Sequence, residues 1–381
     1  MPKINNERVI AIVDYHQRKN NDYTLFDKHA TNLIRCTNPW QKLVINEFGL
    51  TYICSCLAWL PKSIGSILDY TDIFDLLNTY EARSIRSEVA TNRYTYCNQK
   101  ICNHLSPINV QSKIRSISDA TPEDFVLLNE NQFTASSKVT NLPSEICLDF
   151  DYTCNFKCPT CRTDIINHNM GPRMADNQAM VEKIKQLVID RYTREDALVT
   201  IRWAGGEPFI SHAYLALWDY IVSTGNTKIR NIIQTNGSYL IKRSYLLEKF
   251  LPYIDQLRVS FDAGTAETYE SIRVNGEWST LLDNCRSVRK LIDSKEGISL
   301  ELISDFVVQL ENYKEIPQYI DTAKSLGFTT INLSKMWNWG TWSDEEFAQR
   351  NISDIAHPDH HLMVEVISKY STDKVVNQYV Y

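Results

Sequence analysis

An α/β fold, a partial (β/α)6 barrel preceded by a small cysteine-rich α+β domain, is predicted by three observations in this 381-residue sequence. From about Pro143 onward, short apolar runs alternate with longer segments of helical period, the pattern of βα units on a parallel sheet. Six such runs are fewer than a closed eight-unit barrel needs, so the sheet is expected to be open and curved. Before residue 105 the alternation is missing, and five cysteines accompany hairpin and helix signals instead.

The six runs are Ile146 to Phe150, Leu198 to Trp203, Ile229 to Ile233, Leu257 to Phe261, Ile298 to Val308 and Thr330 to Leu333. Helical period fills the gaps at Met180 to Ile189, Tyr214 to Val222, Leu246 to Ile254, Thr280 to Ile292 and Ile316 to Leu326. In such a sheet the functional loops lie at the C-terminal ends of the strands. Upstream, Gln41 to Asn46, the turn Glu47-Phe48-Gly49 and Leu50 to Cys56 read as a hairpin. A helix is expected from about Thr71 to Val89, and Pro107 to Val139 is a polar connector without sustained period. The resulting division is a lead segment at 1–30, a cysteine-rich domain at 31–105, a linker at 106–142, the barrel at 143–340 and a tail at 341–381. The tail carries Ala356-His-Pro-Asp-His-His361, read as a solvated loop, and one amphipathic stretch, Leu362 to Tyr370.

Forty Lys plus Arg against 46 Asp plus Glu give a net charge of -6, which argues against a nucleic-acid duplex or an anionic membrane surface as the main partner. No stretch approaches the roughly 20 apolar residues that span a bilayer, and Met1-Pro-Lys-Ile-Asn-Asn-Glu-Arg has no signal-peptide character. A cytoplasmic location is expected. Thiols stay reduced there, so clustered cysteines point to metal ligands or catalytic groups rather than disulfides.

Cys154-Asn-Phe-Lys-Cys158-Pro-Thr-Cys161 sets three thiols within eight residues, directly after the first predicted strand. One loop of this spacing wraps a single inorganic centre while supplying three ligands. A structural site is normally closed by four, whereas a site that binds substrate through its metal keeps a position open. The alternative is a Cys3His zinc site completed by His168. The second strand ends in Trp203-Ala-Gly205-Gly206-Glu207-Pro208, where glycines permit close backbone approach and a carboxylate offers an ammonium acceptor. Thr235-Asn236-Gly237 and Ser260-Phe261-Asp262-Ala263 end the next two strands on the same rim, and Arg273 is a candidate carboxylate clamp. Asp305, Gln309, Asn332 and Lys335 are candidates for positioning a substrate.

Taken together, in this order, these segments resemble a radical S-adenosylmethionine (SAM) enzyme from about Glu145 to Gly340, so the barrel is expected to be of radical SAM type. The resemblance implies that Cys154, Cys158 and Cys161 hold a 4Fe-4S cluster whose open iron binds the SAM amine and carboxylate. It further implies that Gly205, Gly206 and Glu207 meet the methionyl amine, with Asn236 on the same rim. Ser260 and Asp262 would meet the ribose or carboxylate, and Arg273 the carboxylate. The residue before the third cysteine is Thr160, where the family often has an apolar or aromatic side chain against adenine; Phe156 is the nearest aromatic. The implied reaction is reductive cleavage of SAM to a 5'-deoxyadenosyl radical that takes hydrogen from a substrate. A low-potential flavodoxin or ferredoxin would supply the electron.

The five upstream thiols are Cys36, Cys54, Cys56, Cys97 and Cys102, with Cys54 and Cys56 read as same-side neighbours on a strand. Their order around a hairpin glycine and a helix resembles the auxiliary-cluster domains called SPASM or twitch. That resemblance implies an auxiliary iron-sulfur cluster on Cys36, Cys54, Cys97 and Cys102, with Cys56 as alternate ligand; a zinc knuckle is the simpler alternative. Cys147 and Cys285 read as small core residues. The substrate expected is a peptide or protein, the alternatives being a small metabolite such as a sugar, nucleoside or antibiotic precursor, or a metal-binding protein without catalysis.

Overall fold

The computed structural model describes residues 36–90, 93–99, 102, 105 and 138–380. The expected lead segment at 1–30 and nearly all of the expected linker lie outside the described residues. The chain divides into two compact units, one of residues to Phe150 plus Gln186–Val199, the other of Asp151–Lys185 plus Thr200 onward.

In the first unit, α1 (Asn38–Gln41) leads into β1 (Lys42–Asn46), which turns back into β2 (Leu50–Tyr52) and then β3 (Gly65–Ser66). The turn forms because the Asn46 carboxamide accepts from the Phe48 and Leu50 amides, while Gly49 takes φ of +72°, which glycine adopts without a Cβ penalty. β1 pairs antiparallel with β2 and parallel with β4 (Glu145–Asp149), in register from Lys42 opposite Glu145 to Asn46 opposite Asp149. The first predicted barrel strand therefore adds to the hairpin, a pairing across about a hundred residues that no local pattern announces.

Two local expectations fail here. The second hairpin strand stops at Tyr52 instead of Cys56, because its pairing with β3 ends at Leu50 and Thr51 and the chain then turns, with the Trp59 and Leu60 amides bonding to the Cys56 carbonyl. Cys54 and Cys56 are thus loop residues and not same-face strand neighbours. The helix expected from Thr71 to Val89 is broken into α2 (Ile73–Leu77) and α3 (Tyr80–Ala90). The cause is Asn78, whose carboxamide donates to the Phe74 and Val139 carbonyls and accepts from the Val139 amide, replacing helix continuation with side-chain bonds.

The second unit is the βα half. α4 (Pro172–Ile184) begins earlier than predicted, with Pro172 at its first turn, and the helical path continues through a π segment, Lys185–Ile189, into α5 (Asp190–Glu195), the residues from Gln186 through α5 belonging to the first unit. Thereafter β5 (Val199–Trp203), α6 (His212–Thr224), β6 (Ile229–Thr235), α7 (Ser244–Phe250), β7 (Ile254–Ser260), α8 (Ala266–Ile272), α9 (Trp278–Asp293), β8 (Glu301–Val308), α10 (Ile316–Ser325) and β9 (Thr330–Lys335) alternate as expected. α7 ends at Phe250 and not Ile254 because Pro252 lacks the amide to carry it on; a 3-10 turn follows, and Ile254 already belongs to β7. Strand order runs β5 to β10 (Val376–Tyr379), with β6 to β10 paired in parallel.

The tail is structured, contrary to the reading of a loop with one amphipathic stretch. Its helices are α11 (Asp344–Arg350), closed by a Ser343/Glu346 capping box, and α12 (His360–Ser368). β10 (Val376–Tyr379) then pairs with β9, Val376 facing Ile331. His357 is buried, and its ring bonds to the Gln349 carbonyl and the Asp359 amide, while the His360 ring bonds to the Ile352 carbonyl. These ring bonds tie the tail's turns together, while Ala356, Pro358 and His361 of the same stretch are exposed, as in a solvated loop. Among the described residues no helix is long and apolar enough to cross a membrane.

Candidate active site

The cysteine loop is held by its backbone before any side chain acts. The Cys154 amide donates to the Ile166 carbonyl, Lys157 to Val274, and both Cys161 and Arg162 to the Cys158 carbonyl. Gly206 brings the turn after β5 directly onto this loop. A Cβ there would sit 2.1 Å from the Thr153 carbonyl oxygen and 2.7 Å from the Tyr152 carbonyl carbon, so no other residue fits without displacing backbone. The Glu207 amide then donates to that same Thr153 carbonyl at 2.7 Å.

Each of the three thiols has its own nitrogen donor. Asn236 Nδ2 lies 3.9 Å from Cys154 Sγ, Arg273 Nη1 3.7 Å from Cys158 Sγ, and Arg162 Nη2 3.4 Å from Cys161 Sγ. Burial pushes the Cys154 thiol up to about 11 and also raises Cys158, while Arg162 and Arg273 respectively pull them back toward the thiolate. Hydrogen-bond donors and cations at sulfur are what a bound thiolate cluster needs around it. Among the described residues no three His, Cys, Asp or Glu side chains converge closely enough to share a single metal ion. A cluster of several irons takes each thiolate on a different metal and so asks for a wider spacing. His168, the candidate fourth zinc ligand, has its Nδ1 3.4 Å from Asp151 Oδ1, and Asp151 also accepts from Ser211 and Thr153.

The remaining rim residues are held firmly. Glu207 is buried, accepts from Thr235 Oγ1 and the amides of Phe209 and Asn236, and is pushed up to about 7 by burial against those bonds. Gly205 takes φ of +93°, and its carbonyl accepts from Arg162. Ser260 accepts from Gln234 Nε2. Asp262 sits at φ +59°, unusual for a residue with a Cβ, and is fixed there by the Val307 amide and by Arg273 Nη2 at 2.6 Å. Burial raises the Asp262 carboxyl even against Arg273. Arg273 thus bridges Asp262 to Cys158, and its Nε has no hydrogen-bond partner among the described residues. Phe156 is buried in the core, and Thr160 is half-buried.

Of the four substrate-positioning candidates, two are already engaged. Asp305 takes a two-pronged bond from Arg258, and Asn332 donates to Asp305 and accepts from Asn377. Gln309 is buried with its Nε2 unpartnered among the described residues, and Lys335 places its Nζ 4.8 Å over the Trp337 ring. Arg162 escaped the sequence reading. Its signal was its place directly after the third cysteine, where a cation on a loop reads as solvated.

In the first unit the upstream thiols form a nest. Cys36, Cys97 and Cys102 pack with Trp40 and Trp59 around Val89, Tyr94 and Leu105. Burial lifts Cys36 to about 12 and raises Cys54 and Cys97, and thiol neighbours add to the rise for Cys36 and Cys97. Cys36 and Cys56, the latter pushed up to about 11, each feel Cys54 and Cys102, and Cys97 feels Cys54, Cys36 and Cys102. Asn38 Nδ2 reaches Cys54 Sγ at 4.0 Å. Cys285 is buried as expected, whereas Cys147 is half-buried.

Residues 150–323 match the family model described as Radical SAM superfamily. Among curated proteins, the probable GTP 3',8-cyclases of Saccharolobus islandicus strains M.14.25 / Kamchatka #1 and M.16.27 are each 24% identical over 187 residues, covering 49% of this chain and 54% of the relative. The chain thus spans about half the length of the curated relatives it matches. Among solved structures, Streptococcus suis SuiB bound to S-adenosylmethionine aligns with a TM-score of 0.44 at 15% identity over 74% of this chain and 64% of that one. Native anSMEcpe with bound AdoMet aligns with a TM-score of 0.40 at 16% identity over 62% and 63%.

Proposed function

Residues 150–323 form a radical SAM domain, and from that premise we propose that this chain is a SAM-cleaving enzyme whose substrate is a peptide or protein. Cys154, Cys158 and Cys161 hold a 4Fe-4S cluster that, when bound and reduced by a low-potential flavodoxin or ferredoxin, supplies the electron that splits SAM into methionine and a hydrogen-abstracting 5'-deoxyadenosyl radical. The observation that carries this reading is the set of three separate nitrogen donors, Asn236, Arg273 and Arg162, one per thiol.

The chain's own residues do the positioning. Gly206 seats the β5 turn on the cysteine loop, and Glu207 ties that turn to the end of β6 through Thr235 and Asn236. Asp262 and Arg273 fix the end of β7 and leave Arg273 Nε free to donate to a carboxylate, the group a methionyl moiety presents. Such fixed donors act without reorganising when charge shifts at the centre they surround.

The upstream nest holds an auxiliary iron-sulfur cluster on Cys36, Cys54, Cys97 and Cys102. Cys36 and Cys97 pack with Cys102 in one buried cluster, and Cys56 stands as the alternate ligand. Such a cluster, when bound, would supply either a one-electron acceptor for a substrate radical or a coordination position for substrate. The enzyme works in the cytoplasm.

A small metabolite, specifically a nucleotide, is the second substrate reading, favoured by the relatives described as probable GTP 3',8-cyclases. The test is 5'-deoxyadenosine release by anaerobically reconstituted protein given SAM and dithionite, alone and with candidate peptides or GTP. Release by wild type and none by Cys158→Ala is expected. No release under any of these conditions from protein carrying its clusters would sink the catalytic reading in favour of a metal-binding protein.

A further inference from the structure

We infer that Arg162 is a positioning residue that braces Cys161 against the turn after β5 and supplies a positive charge, not tied up in an ion pair, beside the cluster thiolates. The inference deepens the proposal above and rests on it. Three bonds converge on this one guanidinium. Nη1 donates to the Tyr152 carbonyl at 2.9 Å, and Nη2 donates to Cys161 Sγ at 3.4 Å and to the Gly205 carbonyl at 2.9 Å. The same side chain therefore joins the entry of the cysteine loop, its last thiol and the neighbouring glycine turn. A planar fork of donors can do this, and a lysine ammonium on a flexible stem cannot match its geometry.

Charge separates Arg162 from Arg273. Arg162 is buried and Arg273 half-buried, each beside a thiol, and burying a cation is costly unless an anion answers it. Arg273 is answered by Asp262 at 2.6 Å, so the two together bring no net charge. Arg162 hydrogen-bonds to two carbonyls and a thiol, with no carboxylate among those three partners. The carboxylate that feels Arg162 is Glu207, whose oxygens are occupied by Thr235, Asn236 and Phe209. Arg162 thus makes no ion pair among the described residues, and Glu207 offsets its charge only in part, without a direct bond.

A cation beside a cluster favours the form with the added electron, so its removal makes reduction harder. The test is a dithionite-poised redox titration of the full reconstituted chain, following the electron paramagnetic resonance signal that SAM perturbs, which reports the Cys154/Cys158/Cys161 cluster and not the auxiliary one. Arg162→Gln is expected to move the midpoint to more negative potential. Arg162→Lys is expected to keep the midpoint near wild type while raising the KM for SAM several-fold, since it keeps the charge and loses the brace. If Arg162→Gln fails to fold, the Arg162→Lys split between midpoint and KM decides alone. A lowered melting temperature with unchanged midpoint and unchanged KM in either variant would overturn the inference and leave Arg162 a purely structural residue. Absence of any SAM-perturbed signal in wild type would instead overturn the radical SAM reading beneath it.

Discussion

The molecule treats its two cysteine sets in opposite ways. At Cys154, Cys158 and Cys161 the thiols meet two arginines and an asparagine, and the surrounding polar groups are anchored by backbone amides. At Cys36, Cys97 and Cys102 the thiols meet tryptophans, an aliphatic floor and one another, and the half-buried Lys42 acts weakly on Cys36 and Cys54. The first environment suits a centre that must change charge and bind a zwitterion. The second suits one closed by four thiolates in low dielectric, where burial sets its properties.

The largest test of this contrast is to empty each site separately. Cys158→Ala is expected to abolish nucleoside release while iron in the upstream nest persists. Cys102→Ala is expected to remove the nest's iron and lower product formation by about 100-fold, the upper range for loss of a metal's support, while nucleoside release continues. Iron content and nucleoside measured on the same samples check both, and joint loss in Cys102→Ala would break the contrast.

Gly206→Ala comes next. Its Cβ would meet backbone and not a yielding side chain, so the cost is expected at or above the upper end of the roughly 1–3 kcal/mol of overpacking, with loss of the cluster loop. Chemical denaturation of the variant beside a control Gly225→Ala, where nothing stands within 4 Å, separates crowding from the positive φ that Gly225 alone carries.

Glu207 sharpens the comparison through pH. Burial lifts its folded pKa to about 7, above the ordinary carboxyl value it has when unfolded. The folded state therefore binds the proton more tightly, so its contribution is full below about pH 4 and declines as pH rises to about 7, by roughly 3 kcal/mol at most. Melting temperature of the cluster-free chain is expected to fall across that window, and Glu207→Gln to flatten the fall. An unchanged slope would place the proton elsewhere.

The βα alternation and the cysteine loop were legible because both are local: strands and helices announce themselves by period, and three thiols in eight residues need no partner to be noticed. What escaped depends on distant groups. β4 joining β1, the carboxamide of Asn78 capturing Val139 and β10 adding to β9 are each settled by residues from roughly 45 to 100 positions away. Arg162 shows the same limit at a site residue, since its burial follows from the Gly205 carbonyl, 43 positions along the chain.

The smallest expected effect is at Lys42. It lowers the Cys36 and Cys54 thiols only as the weakest influence on each, and its Nζ is engaged by Glu145 at 2.9 Å with about a quarter of each side chain exposed. Water and salt screen such a pair, so Lys42→Met is expected to change stability by less than about 1 kcal/mol. Iron in the nest should be unchanged, in contrast to the shifted midpoint of Arg162→Gln. A Lys42→Met protein that lost that iron would show the nest to depend on charge after all, and the two thiol sets would then differ in degree and not in kind.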